Sequence, residues 1–395
     1  MIVRNTRPEE AAQVNRIFGA AFSLPAASGP AEAVPSGKRH HFAAFDEKSG
    51  QMMSTLTVSD YEVRFDWGSA RMGGIGGVAT LPQYRRLGCI RGCFQEALKF
   101  MYDGGYELSY LFPFSNAFYR QFGYESCVRR LRTRVRLSLL KPDAVNGTLA
   151  LADAEALEDI RRIDRAWEAR YNMSVLHTDE DHRWVSEAEP EVTTEYTWIY
   201  RDPQGVPQAY TTFRTVIRQG LRCLSCSRFF FLNREGFQGL MGLLCSMAAD
   251  FHDAEFYVPG DCDMEYLLPE WSMGALEQIR ESYGMVRVIN AEQVLKKCHC
   301  HGCTGRLTIR LHDPMIPRND DTFTVDWKDG HVICVERTAL EPDAELDIAA
   351  FSALICGACD LDQAELWMKG LRVLKPEAYP SLMFYRKPMM ITDFF

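Results

Sequence analysis

The chain has 395 residues, too many for one ordinary hydrophobic core, so two or three domains are expected. Its make-up is that of a folded globular protein: 47% hydrophobic, 25% charged and 12% aromatic, with a formal net charge of −9 that argues against a general nucleic-acid surface. No apolar run reaches about 18 residues, which predicts no membrane span, and Glu9 and Glu10 in the first segment exclude a signal peptide. Thirteen cysteines, an odd number in a long chain without secretory features, read as reduced thiols and predict a cytoplasmic protein.

In chain order, a short strand leads to a helix with Thr6 as N-cap and Glu9 as the acid of a capping box, followed by apolar residues at helical spacing from Ala12 to Phe22. Residues 40–65 alternate as a strand pair around the turn Glu47-Lys48-Ser49-Gly50. A glycine-rich strand, Gly73–Thr80, precedes a helix from about Leu87 to Tyr102. A short strand at Leu108–Phe112, a helix start at Asn116–Phe122 and an alternating strand at Arg129–Leu140 complete a mixed sheet flanked by helices. This predicts a first domain over residues 1–140.

Residues 141–150, with Pro142, Asn146 and Gly147, read as a linker. The order then partly repeats: a helix at Ala154–Tyr171, strands at Thr194–Tyr200, Gln208–Val216 and Leu221–Phe231, a helix at Gly236–Phe251 and a strand at Glu255–Val258. The second strand-to-helix turn, Phe229 to Phe237, lacks both doubled arginines and a glycine-rich approach. A duplicated fold without a cofactor site is expected over 141–285. Residues 286–395 predict a third α+β domain: VRVINAEQVL as strand and helix, three alternating strands, and helices near Ile348–Cys356 and Asp362–Gly370.

The segment Gly73–Arg91, GGIGGVATLPQYRRLGCIR, carries the chemistry. A strand, a Leu-Pro turn, two arginines and a glycine open a helix, which aims backbone N–H groups, a helix dipole and positive charge at one point suited to a pyrophosphate. The backbone of Val78, Ala79 and Thr80 is placed to pair with the amides of a pantetheine arm as if it were an added strand. Some thirty residues on, Phe114 and Ser115 precede a helix whose Tyr119 lies one turn after Ser115. A phenol with a pKa of roughly 10 can protonate a departing thiolate, whose thiol has a pKa of roughly 8.5.

With these residues in view, the chain resembles the enhanced intracellular survival (Eis) family of bacterial GNAT acetyltransferases. VATLPQYRRLGCIR is similar to that family's V-A-V-x-P-x-x-R-R-x-G-x-x-R pattern, with Thr80 for its last valine. SNAFYRQFGY fits x-x-x-x-Y-x-x-F-G-Y, and VRVINAEQVL fits the join to a third domain. The resemblance implies two tandem GNAT-like domains and a C-terminal domain like sterol carrier protein. It implies acetyl-CoA held by Val78, Ala79, Thr80, Arg86, Leu87, Gly88, Cys89, Ile90, Arg91, Phe114 and Ser115, with Tyr119 as general acid. It further implies that the terminal carboxylate, here on Phe395, takes the amine proton. The apolar tail Met389–Phe395 agrees with a buried chain end, and burial raises a carboxylate's pKa and strengthens it as a base. By the same resemblance the substrate is a primary amine on a small cationic molecule such as an aminoglycoside or polyamine, and the protein is a homohexamer.

Rival classes are a lipid- or small-ligand-binding protein with a vestigial cofactor site, and an N-acetyltransferase acting on proteins. Cys298-His299-Cys300-His301-Gly302-Cys303 is too compressed for paired zinc knuckles, so no metal is expected. Cys89 at a helix start suggests a lowered pKa, but no histidine follows in an arrangement that would make it a nucleophile. Trp67, Phe22 and Trp184 are candidate amine-pocket aromatics, and His40 and His41 receive no role.

Overall fold

A computed structural model describes residues 1–23, 38–186, 189–265 and 274–394. The chain forms two compact units: Met1–Val128 with Tyr283–Lys387 and Ile391–Phe395, and Arg129–Ser282 with Pro388–Met390. Mixed α+β architecture holds throughout, with three separate sheets.

The first sheet is built from β1 (Ile2–Asn5), β2 (Arg39–Phe45), β3 (Met52–Phe65), β4 (Gly68–Thr80), β5 (Leu108–Leu111) and β6 (Glu125–Ser126), with a later strand between the last two. Alternation along the strands sends opposite residues to two helices. Ala43, Phe45 and Ala79 pack on Val14 and Ile17 of α1 (Ala11–Phe22). Phe42, Leu56, Val58 and Ile75 pack on Cys93, Phe94, Ala97 and Met101 of α2 (Cys89–Asp103). The entry to α1 differs from the expected Thr6–Glu9 box. A turn at Pro8–Glu10 intervenes, and Glu10 accepts from the Arg7 N–H at 2.8 Å while also pairing with Arg4. Pro8 permits this tighter start, because it has no N–H to satisfy.

β4 pairs antiparallel with β3 along nearly its whole length, but with parallel β5 only from Met72 to Ile75. Just beyond that point its register against β3 shifts between Thr55 and Thr57, and Gly77 takes φ +58°. This is a β-bulge, and glycine supplies the left-handed conformation it requires. The end of β4 therefore leaves β5, opening the sheet.

The second unit repeats the plan. Its strands are β7 (Arg129–Arg136), β8 (Thr148–Leu151), β9 (Tyr196–Arg201), β10 (Pro207–Arg218), β11 (Leu221–Phe231), β12 (Asp253–Pro259) and β13 (Leu276–Ser282). They lie in the order β13-β7-β12-β11-β10-β9-β8, and β11 and β12 are its parallel pair. On this sheet pack α4 (Leu157–Glu168) and α7 (Arg234–Ser246), one on each of two apolar clusters, while α3 (Asn116–Arg120) belongs to the first unit and α5 (Arg183–Ser186) and α6 (Pro190–Thr193) are single turns.

Two strands depart from the sequence reading. β7 follows the first sheet in the chain yet pairs in the second, between β12 and β13, and β14 (Met285–Val288) enters the first sheet between β5 and β6. The reason is side-chain complementarity. Leu131 and Val135 join the core containing Phe256 and Val258, while Arg132 and Arg134 meet Glu255, Glu277 and Glu281 on the other face. Residues 141–150 are also more than a linker, since β8 begins within them at Thr148.

The third sheet, in the first unit, runs β17-β16-β15-β18-β19: β15 (Thr304–His312), β16 (Thr322–Lys328), β17 (His331–Arg337), β18 (Ala344–Asp347) and β19 (Leu371–Val373). Helices α8 (Ala291–Lys297), α9 (Ile348–Cys356) and α10 (Leu361–Trp367) accompany it. The fully buried Arg287 of β14 ties this domain to the first sheet. Its Nη2 reaches both Asp313 oxygens, at 2.7 and 2.8 Å, and Asn319 donates to the same carboxylate at 3.0 Å. Removing one partner of such a pair strands the other charge without water. Arg287→Met is expected to cost about 3–5 kcal/mol, read as a lowered denaturation midpoint of the unit that contains it.

Candidate active site

The parted end of β4 presents its backbone. The Leu81 N–H donates to Met53 O at 3.0 Å, so antiparallel alternation turns the Val78 and Thr80 N–H groups away from β3, toward the side β5 has left. The Thr80 hydroxyl is already engaged by Ser54 at 2.9 Å, leaving main chain as what this segment offers.

After a turn at Pro82–Tyr84 the backbone takes positive φ at Arg86 (+65°) and Gly88 (+79°), and α2 begins at Cys89. Its first intrahelical bond runs from Gly92 N to Gly88 O at 3.1 Å. Among the described residues, the successive N–H groups of Arg86, Leu87, Gly88, Cys89, Ile90 and Arg91 donate to no other residue. No acidic residue occupies the first turn of α2, and no side chain caps it. Such a run of unpaired donors at the positive end of a helix is an anion cradle. A Cβ on Gly88 would meet nothing within 4 Å, so the approach is open. Arg85 and Arg86 are exposed at the rim, while Arg91 reaches Gln121 Oε1 at 3.0 Å. This set of donors fits a pyrophosphate and its pantetheine arm.

The equivalent turn in the second unit is closed. Asn233 caps α7 by accepting from Gly236 N at 2.8 Å, Glu235 occupies the first turn, and a Cβ on Gly236 would meet Gln208 O at 2.6 Å. This agrees with the absence of a cofactor motif in its sequence.

Ser115 caps α3, its hydroxyl accepting from Phe118 N at 3.3 Å, and the neighbouring Phe114 is largely exposed. Tyr119, on α3, is buried among Phe94, Phe114 and Phe118, with ring centroids 5.1–6.1 Å away. Beneath it, Phe94 stacks on Phe122 at 4.1 Å. The Tyr119 hydroxyl has no hydrogen-bond partner among the described residues, yet it is not one of the sealed polar atoms that lack one, so the oxygen opens to accessible space. Burial, and secondarily Tyr124, push its pKa above the usual value, which keeps the phenol protonated.

Phe395 lies outside the described residues. The preceding Phe394 packs on Phe112 with centroids 4.5 Å apart, just past the end of β5. Met390 pairs with Asn172 in the second unit, and Ile391 is buried in the first.

Several side readings change. Burial raises the Cys89 thiol instead of the helix start lowering it, because the side chain turns into the core toward Tyr84 O. Trp67 packs on His299 and His331, Phe22 lies half exposed against Phe18, and Trp184 sits over Arg228 in the second unit. Cys298 and Cys300 are buried, and among the described residues no cluster of three metal-type ligands forms. Sequence reasoning missed the bulge at Gly77; its signal was the doubled glycine pairs in GGIGG.

Residues 2–127 match the acetyltransferase (GNAT) domain family and residues 291–369 the sterol carrier protein domain family. The chain thus carries an N-acetyltransferase domain of the GNAT type and a sterol-carrier-like domain. No curated protein matches its sequence. Among solved structures it is similar to a GCN5-related N-acetyltransferase from Anabaena variabilis (TM-score 0.87, 16% identity, all of both chains). It is also similar to a protein from Enterococcus faecalis described as a probable N-acyltransferase (0.86, 20%, all of this chain and 99% of that one). A third is Eis1 from Mycobacterium abscessus (0.81, 18%, all of both chains). At these identities the likeness establishes the fold.

The thiols yield a direct check. Alkylation requires thiolate, so a raised pKa delays reaction until higher pH. Exposed Cys303 is expected to label first at neutral pH; Cys89 and Cys93, the latter pushed up to about 12, label only as pH rises or the fold opens. Peptide mass mapping after timed alkylation reads the order.

Proposed function

We propose that the protein is an acetyl-CoA-dependent N-acetyltransferase of the Eis type, acting on a primary amine of a small cationic molecule such as an aminoglycoside or a polyamine. The run of unpaired N–H groups from Arg86 to Arg91, beside the parted end of β4, is the observation that carries this reading.

Acetyl-CoA supplies an activated acyl group with thiolate as leaving group. Arg86–Arg91 hold the pyrophosphate, the rim arginine adding full positive charge to the backbone donors. Val78, Ala79 and Thr80 lie along the pantetheine arm, with the outward Val78 and Thr80 N–H groups pairing to its amides. Phe114 and Ser115 border the thioester end. The amine nitrogen attacks the thioester carbonyl carbon, the carbon–sulfur bond breaks, and Tyr119 gives its proton to the sulfur. Burial keeps the phenol protonated, so the proton is present for transfer, while making it a weaker acid. The Phe395 carboxylate accepts the amine proton, directly or through water. The packing of Phe394 on Phe112 supports its arrival near the end of β5. The Eis-like reading extends to a cytoplasmic homohexamer, checked by light scattering on the purified protein.

Acetyl-CoA is expected to raise the unfolding midpoint, and release of free thiol should appear when amines are added. A shift with fatty acids alone and no thiol release would instead make the protein a lipid binder. Tyr119→Phe is expected to lower kcat by about 10²–10⁴ with acetyl-CoA affinity kept, and removal of Phe395 to lower turnover as well. Unchanged turnover in both variants would remove these residues from the mechanism.

A further inference from the structure

The last residues of a chain fray unless something ties them down. Here the tail is tied by a grip whose residues have no role in holding the cofactor. Lys387 sets the approach: its buried ammonium donates to Asp66 Oδ2 at 2.7 Å and Ile355 O at 2.9 Å. Pro388–Met390 then belong to the second unit, where the turn after α4 takes hold of them. The Asn172 N–H donates to Pro388 O at 2.8 Å and the Met390 N–H donates to Asn172 O at 3.1 Å, which sets Asn172 beside Met389 in a parallel bridge. The Ser174 hydroxyl adds a third bond, donating to Met390 O at 3.1 Å. Asn172, Ser174, Met389 and Met390 are all buried. Between Asn172 and Ser174, fully buried Met173 takes φ +69°, a left-handed conformation that a bulky side chain rarely adopts. The Ser174 N–H closes this turn on Tyr171 O at 3.4 Å. The twist brings the Asn172 main chain and the Ser174 side chain to the same stretch of tail. The segment is itself seated on α4: His177 Nδ1 lies 2.7 Å from Glu168 Oε1, and His182 Nε2 lies 3.0 Å from Asp164 Oδ2. Among the described residues no backbone-to-backbone hydrogen bond holds Ile391, Thr392 or Phe394. The chain end is thus referred back to Met390 and to the packing of Phe394 on Phe112.

We infer that Ser174 is a positioning residue for the chain-end carboxylate: by holding Met390 O it fixes the stretch of tail from which Phe395 reaches the amine. The inference rests on the acetyltransferase reading in which that carboxylate accepts the amine proton, and it adds what keeps the base in place. Ser174 takes no proton itself. Its effect is on proximity, because a base on a loosened tail is less often in reach of the proton, and small misplacements of a catalytic group cost large factors in rate. Losing the Ser174 hydroxyl leaves both main-chain bonds of Asn172 intact. Ser174→Ala therefore loosens the tail without unfolding the segment that grips it.

The test compares the full-length protein, Ser174→Ala, the form lacking Phe395, and the two changes combined. Thiol release from acetyl-CoA with a polyamine gives kcat and KM, and carboxypeptidase release of phenylalanine reads the freedom of the chain end. Ser174→Ala is expected to lower kcat by about tenfold or more and to speed phenylalanine release. KM for acetyl-CoA and the unfolding midpoint should stay near wild type. In the form lacking Phe395 the same substitution should change kcat little, because the group it positions is gone. Wild-type kcat or unaltered phenylalanine release in Ser174→Ala, or a loss of kcat equal with and without Phe395, would overturn the inference while leaving the acetyltransferase reading intact. A lowered unfolding midpoint with parallel loss of acetyl-CoA affinity would make the residue structural and likewise overturn it. Unchanged turnover on removing Phe395 alone would fail the chain-end base, and the role of Ser174 with it. A wild-type protein that binds acetyl-CoA but acetylates no amine would fail the functional reading itself.

Discussion

A backbone N–H or C=O that loses its partner in a sheet has to find another, and that requirement organises the first domain. β4 gives up β5 after Ile75, bulges at Gly77 and carries on to Thr80 with one edge unpaired. The chain then turns through two left-handed residues into α2, where a further run of N–H groups is left without partners. An open sheet edge is ordinarily a liability. Here it is short, twisted by the bulge and continuous with a helix start, a shape to which an extended ligand with amides along its length and phosphates at its end would be complementary in both parts.

The rest of the first unit holds that opening in place. α1 and α2 clamp β3 and β4 from opposite faces, and the stacked Phe94 and Phe122 support the floor beneath Tyr119. β14 returns to flank β5, and its Arg287–Asp313 pair anchors the sterol-carrier-like domain to the same sheet. Lys387 and Asp66 form a second buried ion pair in this unit, just before the tail whose Phe394 rests on Phe112. The third domain thus leads into a tail whose Phe394 lies past the end of β5.

The second domain shows the same layout with its turn closed from within. It keeps a parallel strand pair and a following helix, but Asn233 caps that helix, Glu235 compensates its dipole and Gln208 fills the approach to Gly236. Each substitution satisfies locally what the first domain leaves open. The sheet also receives β7 and its arginines, which pair with glutamates of β12 and β13.

Local patterning by itself determined most of the strands and helices of the first sheet, including the strand, turn and helix start from Val78 to Arg91 and the helix that carries Tyr119, because hydrophobic period, glycine and proline act over a few residues. It also showed that the second turn lacked a cofactor motif. Tertiary structure alone decided that β7 and β14 pair outside their neighbours in sequence, since strand pairing between distant segments leaves no local signature. It likewise decided that Cys89 turns inward and its thiol is raised, that Glu10 rather than Glu9 closes the first helix, and that Asn172 and Ser174 meet the tail at Met390. Burial and cross-strand contact set those outcomes, and both depend on which segments the folded chain brings side by side.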